Sequence, residues 1–187
     1  TCSFDDFDDA EHFTELLKKS TAVAFGPGIK VNQKYYELLK FVIENTSSPI
    51  IIDAGGINLL AENPELLSKL KNRCLITPHP GEFSKISGLS VSEINSDRIN
   101  TARDFASKYS ITVLLKGYNT IITDGCEIFV NSTGNSHMGT GGMGDALTGL
   151  ITSLVSQGYT LINAANIGAF LHGYIGDRLL EKQEIIT

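Results

Sequence analysis

The sequence is short of the residue types that build disulfide frameworks, nucleic-acid surfaces and membrane spans. It has three cysteines, no tryptophan and fewer basic than acidic residues, which leaves a formal net charge of −6. The cysteines are widely spaced and lack the pairing of a zinc site, so neither a disulfide framework nor a metal site built by the protein alone is predicted. The acidic balance argues against general affinity for nucleic acid, and no apolar run is long enough to cross a bilayer. We therefore expect no nucleic-acid partner, no membrane partner and a reducing, cytoplasmic setting.

The composition is that of an ordinary globular protein. Hydrophobic residues make up 42% of the 187 residues and charged residues 19%. A chain of this length buries a substantial core as one domain, and we treat residues 1–187 as a single domain.

Short β-branched runs alternate with amphipathic stretches along most of the chain. Four runs read as buried strands that end in glycine or proline loops, at residues 21–28, 48–56, 72–81 and 111–117. Apolar residues at helical spacing predict helices within residues 31–46, 62–72, 91–110, 143–158 and 160–182. Two short strands meet around Asp124-Gly125, which favours a hairpin over residues 119–131. The pattern predicts an α/β fold with a mostly parallel sheet and helices on both of its faces.

The stretch GNSHMGTGGMGDALTGL, residues 134–150, is the most unusual segment. Four glycines within residues 139–144 precede an apolar pattern of helical spacing. Such a loop leads unpaired N–H groups and the positive end of a helix dipole towards one point, which favours an anion. The loop has neither the Lys-Ser/Thr pair of a Walker loop nor the spacing of a dinucleotide-binding turn. A phosphate site is predicted, with a helix merely capped by Asp145 as the alternative.

Asp145 is a candidate general base because a carboxylate beside phosphate is repelled unless it accepts a proton or holds a metal. In phosphoryl transfer one residue accepts the proton of the attacking hydroxyl while the others position groups and neutralise charge.

Further polar residues follow the predicted strands, at the sheet edge where open α/β folds bind ligands. Lys116-Gly117 ends one strand, and the reading of Lys116 as a ligand group or as a solvated lysine stays open. His79 and Glu82 follow another strand in the stretch TPHPGE, where a structural loop is the alternative. Asp53 and the Gly26-Pro27-Gly28 turn end two more strands.

Taken in order, these segments resemble the NAD(P)H-hydrate dehydratase family, the carbohydrate-kinase-related branch of the ribokinase-like superfamily. The resemblance rests on Gly-Pro-Gly (26–28), Asp-Ala (53–54) with Asn-Leu-Leu (58–60), Thr-Pro-His-Pro-Gly-Glu (77–82), Leu-Lys-Gly with a following threonine (115–120), residues 131–145, Leu-Thr-Gly (147–149) and His-Gly (172–173). It implies a three-layer α/β/α sandwich and an enzyme, a carbon–oxygen lyase, that repairs hydrated NADH or NADPH with ADP or ATP.

The resemblance also implies roles for individual residues. Asp145 is the base on the ring hydroxyl and also contacts the substrate, and magnesium neutralises the phosphates. The nucleotide and its phosphates are expected at Lys116, Gly117, Thr120, Asn135, Gly139, Thr140, Gly141, Gly142, Met143 and Gly144. The hydrate is expected at Gly28, Asp53, His79, Gly81 and Glu82.

The chain departs from the family pattern at three places and at its start. The family usually has alanine at Gly139, threonine or serine at Met143, and Asp-Ala at Gly55-Gly56. Family members also begin with a further glycine-rich loop and at least one strand, so we expect this domain to lack an N-terminal portion. An uncovered sheet edge then predicts cover by that portion or by another subunit of a homo-oligomer.

Two other functions are compatible with these residues. One is a ribokinase-like kinase of small alcohols, of the hydroxyethylthiazole kinase type, which would release the phosphorylated product. The other is a nucleotide-binding module without catalysis.

Overall fold

The computed structural model describes residues 10–182, in which one six-stranded sheet lies between two layers of helices. The strands are β1 (Val23–Phe25), β2 (Ile50–Ile52), β3 (Cys74–Ile76), β4 (Thr112–Leu115), β5 (Thr120–Thr123) and β6 (Ile128–Asn131). The α-helices are α1 (Ala10–Lys19), α2 (Gln33–Asn45), α3 (Gly55–Glu62), α4 (Pro80–Ser87), α5 (Val91–Ser96), α6 (Arg98–Tyr109), α7 (Met143–Ser156) and α8 (Leu161–Glu181). Two 3-10 helices cover Pro64–Lys69 and Ser136–Met138.

The sheet follows the chain in spatial order from β1 to β6. β1 to β4 are parallel, and β5 and β6 form the antiparallel hairpin predicted around Asp124-Gly125. Within the described residues β1 pairs with β2 alone, so one side of β1 is a sheet edge. The mostly parallel sheet is confirmed.

Alternation along the strands divides the core between the two faces of the sheet. Ile51, Leu75, Leu114 and Ile122 pack with α7 and α8, whereas Ile50, Ile52, Cys74 and Ile76 pack with α1 to α6. Successive side chains of a strand point to opposite faces, and strands buried on both faces are apolar throughout. For this reason the β-branched runs can be predicted from the sequence as central strands.

The predicted helices differ from the observed ones in identifiable ways. The 62–72 stretch is a 3-10 helix that begins at Pro64, and the 91–110 stretch is broken at Asp97. Asp97 leaves the helical region at φ −149°, and its side chain caps α6 by accepting from Asn100 N. The helices α1, α3 and α4 were missed, two of them because glycine and proline in their first turns read as loop.

No helix among residues 10–182 is both long enough and apolar enough to cross a membrane. Burial raises the pKa of the Cys74 thiol to about 12, which keeps that cysteine protonated, while Cys126 is exposed. Cys2 lies outside the described residues.

Candidate active site

Three neighbouring strands deliver polar residues to one edge of the sheet. Asp53 follows β2, Thr77 follows β3 and Lys116 follows β4. The backbone pairing continues past the strands, because Thr77 N donates to Ile52 O at 3.1 Å and Lys116 N donates to Pro78 O at 2.8 Å. The carboxyl ends of these strands therefore meet, as the sequence predicted.

Asp53 is the centre of a buried polar cluster, here called the strand-end cluster, which also contains Lys116, Thr148 and Glu82. Lys116 Nζ donates to Asp53 Oδ1 at 2.9 Å, and Thr148 Oγ1 on α7 donates to Asp53 Oδ2 at 2.9 Å. Asp53 is 1% exposed, so both of its oxygens are satisfied inside the protein. Glu82 Oε2 lies 4.0 Å from Lys116 Nζ. Lys116 thus has two carboxylates within ion-pair distance.

His79 and Glu82 together cap the N-terminus of α4. His79 Nδ1 accepts from Gly81 N at 3.0 Å and from Glu82 N at 3.3 Å, while His79 N donates to Glu82 Oε2 at 2.9 Å. This reciprocal pairing is a capping box, in which the first-turn N–H groups of a helix find side-chain acceptors. The stretch TPHPGE is therefore a helix start, and its His and Glu have a structural role whether or not they also contact a ligand.

Unlike the capped start of α4, the glycine-rich loop 139–144 leaves several N–H groups without a hydrogen-bond acceptor in the described chain. Gly142 precedes α7 in the left-handed region at φ +87°, and no side chain caps the helix. Within residues 10–182, the N–H groups of Thr140, Gly141, Gly142, Gly144 and Asp145 have no hydrogen-bond acceptor. Five free donors in one turn at the positive end of a 14-residue helix form a site for an anion.

Asp145 lies in the first turn of α7, directly after Gly144. It is exposed, and its carboxylate has no hydrogen bond or ion pair with any residue of the described chain. The alternative that Asp145 caps its own helix is not supported by this geometry, because no side-chain cap is formed.

A cavity of about 660 Å³ lies against the loop and the strand-end cluster. Of the residues predicted for the nucleotide, Lys116, Gly117, Thr120, Asn135, Gly139, Met143 and Gly144 line it, whereas Thr140, Gly141, Gly142 and the candidate base Asp145 do not. Gly144 joins the two regions, because a Cβ there would lie 3.4 Å from Lys116 Nζ and 3.6 Å from Asp53 Oδ2. Lys116 is the one lysine or arginine among the lining residues of the described chain.

The residues predicted for the hydrate are only partly brought together. His79 lines the cavity, and Asp53 and Glu82 lie behind its wall through Lys116. Gly81 N donates to His79 Nδ1, and Gly81 does not line the cavity. Gly28 follows β1 at φ +73° with open space around it and also lies off the cavity.

Two nucleotide-site predictions have a structural account of their own. Gly117 has φ +141°, and a Cβ there would lie 3.1 Å from the guanidinium of Arg98. Arg98 Nη2 donates to the carbonyls of Leu115 and Lys116 at 3.0 and 3.2 Å, which fixes the turn after β4. Thr120 Oγ1 donates to Gly117 O at 3.0 Å and closes the same turn.

The segment 131–138, here called the wall loop, forms much of the cavity lining. The side chain of Asn135 starts the 3-10 helix by accepting from His137 N at 3.1 Å, and its Nδ2 donates to Asp177 Oδ1 at 3.0 Å. Sequence reasoning singled out Asn135 but missed its partner on α8.

Three residues of the site escaped sequence reasoning as site residues. Thr148 completes the bonding of Asp53, Asp177 holds the wall loop, and His172 lines the cavity. Burial lowers the pKa of the His172 imidazole, which favours its neutral form. Thr148 had a usable signal, since it lies one helical turn after Asp145 and Gly144, whereas Asp177 contacts residues more than 40 positions away.

Comparison with known proteins agrees with this geometry. The family model described as NAD(P)H-hydrate dehydratase matches residues 2–187. The chain is 39% identical over 174 residues to the bifunctional NAD(P)H-hydrate repair enzyme Nnr of Coxiella burnetii, covering 92% of this chain and 35% of that protein. It is 37% identical over 152 residues to the ADP-dependent (S)-NAD(P)H-hydrate dehydratase of Neisseria meningitidis serogroup B, covering 79% of this chain and 51% of that protein.

A solved structure shares the fold. The ADP/ATP-dependent NAD(P)H-hydrate dehydratase of Bacillus subtilis, co-crystallised with ATP and Mg²⁺, aligns with a TM-score of 0.76 at 27% identity, covering 89% of this chain and 58% of that one. The predicted ribokinase-like sandwich is confirmed. The chain spans between about a third and about half of the length of these two curated relatives. From the family match over nearly its whole length, together with the glycine-rich loop, the free Asp145 and the strand-end cluster, the chain belongs to the NAD(P)H-hydrate dehydratase family.

Proposed function

We propose that this chain carries the catalytic site of a nucleotide-dependent (S)-NAD(P)H-hydrate dehydratase, which restores reduced nicotinamide from its hydrate. The observation that carries the proposal is the occurrence of five free N–H groups and a free carboxylate, that of Asp145, within residues 140–145, next to a cavity of about 660 Å³ whose lining includes Gly144. An anion site and a proton acceptor in one turn are what phosphoryl transfer to a hydroxyl needs. The family membership supplies the substrate class.

The reaction divides into two balanced steps. The ring hydroxyl of the hydrate attacks the terminal phosphorus of the nucleotide while Asp145 accepts its proton, so ADP leaves AMP and ATP leaves ADP. The carbon–oxygen bond then breaks with phosphate as the leaving group, and a ring proton is lost as the double bond returns. Phosphorylation is needed because hydroxide is a poor leaving group.

We propose that the transferring phosphate binds at loop 139–144. The N–H groups of Thr140, Gly141, Gly142 and Gly144 are unpaired there, and the dipole of α7 adds positive potential at the same point. Gly141 has open space around its Cα, which allows a phosphate to approach the backbone closely.

Charge balance supports a divalent cation as a companion of the nucleotide. Lys116 is already neutralised by Asp53, so it leaves little net positive charge for a polyphosphate. Among residues 10–182 no group of three His, Cys, Asp or Glu side chains could hold a metal ion. Mg²⁺ commonly reaches such sites bound to substrate phosphates and water with few protein carboxylates, and Asp145 is the free carboxylate nearest the loop in sequence. When bound, the ion neutralises charge on the phosphates.

ADP is our proposed co-substrate, with ATP as the alternative. The similarity to a relative named as ADP-dependent supports ADP, and the Bacillus subtilis structure obtained with ATP and Mg²⁺ keeps ATP open. The hydrate is proposed to bind on the His79 side of the cavity, across from the loop.

The test is to incubate the full-length protein with hydrated NADH, Mg²⁺ and either ADP or ATP, and to follow the near-ultraviolet absorbance of reduced nicotinamide. Recovery of that absorbance with release of free phosphate is the expected result. A stable phosphomonoester would instead support the small-alcohol kinase. Nucleotide binding without turnover of hydrate or alcohols would support the non-catalytic module.

The cytoplasm is our proposed location, supported by isolated cysteines of which Cys74 is buried as a thiol. The homo-oligomer and the further N-terminal portion stay predictions, supported by the sheet edge at β1.

A further inference from the structure

We infer that Asp177 on α8 is a positioning residue that fixes the wall loop, and through it the nucleotide side of the cavity. The inference rests on the proposed function for its nucleotide readout, but the hold on the loop can be measured without nucleotide. Neither the glycine-rich loop nor Asp145 is involved in it directly.

Both carboxylate oxygens of Asp177 are bound by the wall loop. Gly134 N donates to Asp177 Oδ2 at 2.8 Å, and Asn135 Nδ2 donates to Asp177 Oδ1 at 3.0 Å. Hydrogen bonds to a charged acceptor are stronger than neutral ones, and two of them define an orientation as well as a distance. Gly134 has φ +100°, so the chain reverses at the point where Asp177 holds it.

The same face of α8 is shaped to receive the rest of the wall loop. A Cβ at Gly173 would lie 2.6 Å from the backbone carbon of Thr133, and a Cβ at Gly176 would lie 2.3 Å from Met138 Sδ. Gly173, Gly176 and Asp177 are three and four residues apart, which places them on one side of a helix. The loop therefore packs directly on the helix backbone where the two glycines leave room.

Two hydrogen bonds to α8 carbonyls complete the attachment at the start of the wall loop. Asn131 Nδ2 donates to Ala169 O at 3.3 Å, and Thr133 Oγ1 donates to Phe170 O at 3.1 Å. Every described turn of α8 from Ala169 to Asp177 thus contributes to holding the loop.

Asn135 acquires a different role from the one its position suggested. Its Oδ1 accepts from His137 N and its Nδ2 donates to Asp177, so one donor hydrogen of the amide remains for any other partner. We place its main contribution in setting the course of the loop, with the loop backbone and neighbouring side chains lining the cavity.

The experiment exchanges the two polar partners. In Asp177→Asn the new amide has one oxygen for the two donors, so either Gly134 N or Asn135 Nδ2 loses its acceptor, and in Asn135→Asp two carboxylates face each other. In the double variant Asp177→Asn with Asn135→Asp, the new amide at position 177 can accept from Gly134 N and donate to the new carboxylate at position 135, which still accepts from His137 N. The matched control is Glu181→Gln, an exposed carboxylate on the same helix that pairs with Arg178 and does not touch the loop.

The readouts are the Kd for ADP by calorimetry, KM and kcat for hydrate turnover, and hydrogen exchange of residues 132–138 without ligand. We expect each single variant to raise the Kd and KM for nucleotide about tenfold with kcat nearly unchanged, and to speed exchange in the loop. The double variant should return the Kd, the KM and the exchange rate of the loop to within about threefold of wild type. Glu181→Gln should change none of these quantities. Circular dichroism and thermal unfolding confirm that each variant is folded.

Wild-type exchange and affinity in both single variants would overturn the inference, as would a double variant that recovers neither. If the wild-type protein binds no nucleotide, the proposed function fails. The exchange data then decide the inference alone: faster exchange in the single variants that the double variant reverses supports it, and unchanged exchange refutes it.

Discussion

The strand-end cluster and the glycine-rich loop lie side by side at the same sheet edge, yet they are opposite in their hydrogen bonding. Asp53 is buried with both oxygens bonded, and its lysine partner has two carboxylates within ion-pair distance. Residues 140–145 offer five unpaired N–H groups, four of them in the loop, and the carboxylate of Asp145 has no partner within the described chain. Saturated polar groups hold a structure together, whereas unsatisfied groups at a cavity are available to a ligand. From this difference we propose a supporting role for the cluster and a ligand-binding role for the loop.

The largest effect is expected at Asp145, the free carboxylate. Asp145→Asn removes the base but keeps the size, and no cap is lost because none is formed. Turnover should fall ~10²–10⁴-fold, mainly in kcat, as is typical for loss of a general base. The affinity for ADP should hold or rise slightly, because a negative charge beside the phosphates is gone. Steady-state kinetics and calorimetry measure both.

The control for that variant is Asp104→Asn, an exposed aspartate on α6 across the sheet, paired with Arg103. It should keep wild-type turnover. Full activity in Asp145→Asn would show that the free carboxylate has no part in the reaction.

The next effect tests the saturated side of the comparison. Asp53→Ala leaves Lys116 beside a cavity without its main partner and orphans the Thr148 hydroxyl. Breaking a buried ion pair typically costs 3–5 kcal/mol, and because a quarter of the Lys116 side chain is exposed (23%) we expect about 3 kcal/mol of lost unfolding free energy. Urea unfolding measures it. The double variant Asp53→Ala with Lys116→Met should recover part of the loss, and a single variant as stable as wild type would contradict the supporting role.

A smaller effect separates the two reasons for a glycine in the loop. Gly141 has no positive φ and open space around its Cα, so the unliganded fold tolerates a methyl group there. Gly141→Ala should leave the free energy of unfolding within about 0.5 kcal/mol, as for other surface changes, yet raise the Kd for ADP about tenfold by crowding the phosphate. Gly149→Ala, also in open space but in the interior of α7, should leave the Kd unchanged and raise the free energy of unfolding by up to about 1 kcal/mol, because alanine favours a helix more than glycine does. Unchanged affinity in Gly141→Ala would show that phosphate does not approach the backbone of Gly141 closely.

The smallest effect is a gain. Met143 lines the cavity at the first position of α7, where the family resemblance led us to expect a hydroxyl residue. Met143→Thr should tighten ADP binding about threefold, the effect of one added hydrogen bond. Met143→Ala serves as the control and should not tighten binding. Equal affinities in the two variants would show that no phosphate lies beside this position.

Much of the sheet could be predicted from sequence, because strands buried on both faces are apolar runs. The hairpin followed from Asp124-Gly125 and the loop from its glycines. Helices α3 and α4 could not be predicted, because glycine and proline usually interrupt helices, although Gly55 and Pro80 each begin one here. Gly55 is explained by packing, since a Cβ there would lie 2.4 Å from Ile29 O. Such contacts are set by tertiary structure.

The candidate site likewise has features that the sequence predicts and features that depend on tertiary contacts. The unpaired N–H groups before α7 could be predicted, because a glycine-rich turn that leads into a helix is a local pattern, while the roles of the loop and of Asp145 stay predictions. The structural contacts of Asp53, His79 and Glu82 could not be predicted, because the sequence does not show whether a polar side chain faces a ligand or forms hydrogen bonds inside the protein. The partners Thr148 and Asp177 lie 95 and about 42 residues from the groups that they hold.

The central claim is that phosphate binds at the start of α7, and hydrogen exchange tests it most directly. The free N–H groups of Thr140, Gly141, Gly142, Gly144 and Asp145 should exchange fast without ligand. Saturating ADP with Mg²⁺ should slow exchange across residues 140–145 by about tenfold or more, because bound phosphate oxygens occupy those donors. Slowed exchange elsewhere in the chain, with residues 140–145 unchanged, would contradict the claim.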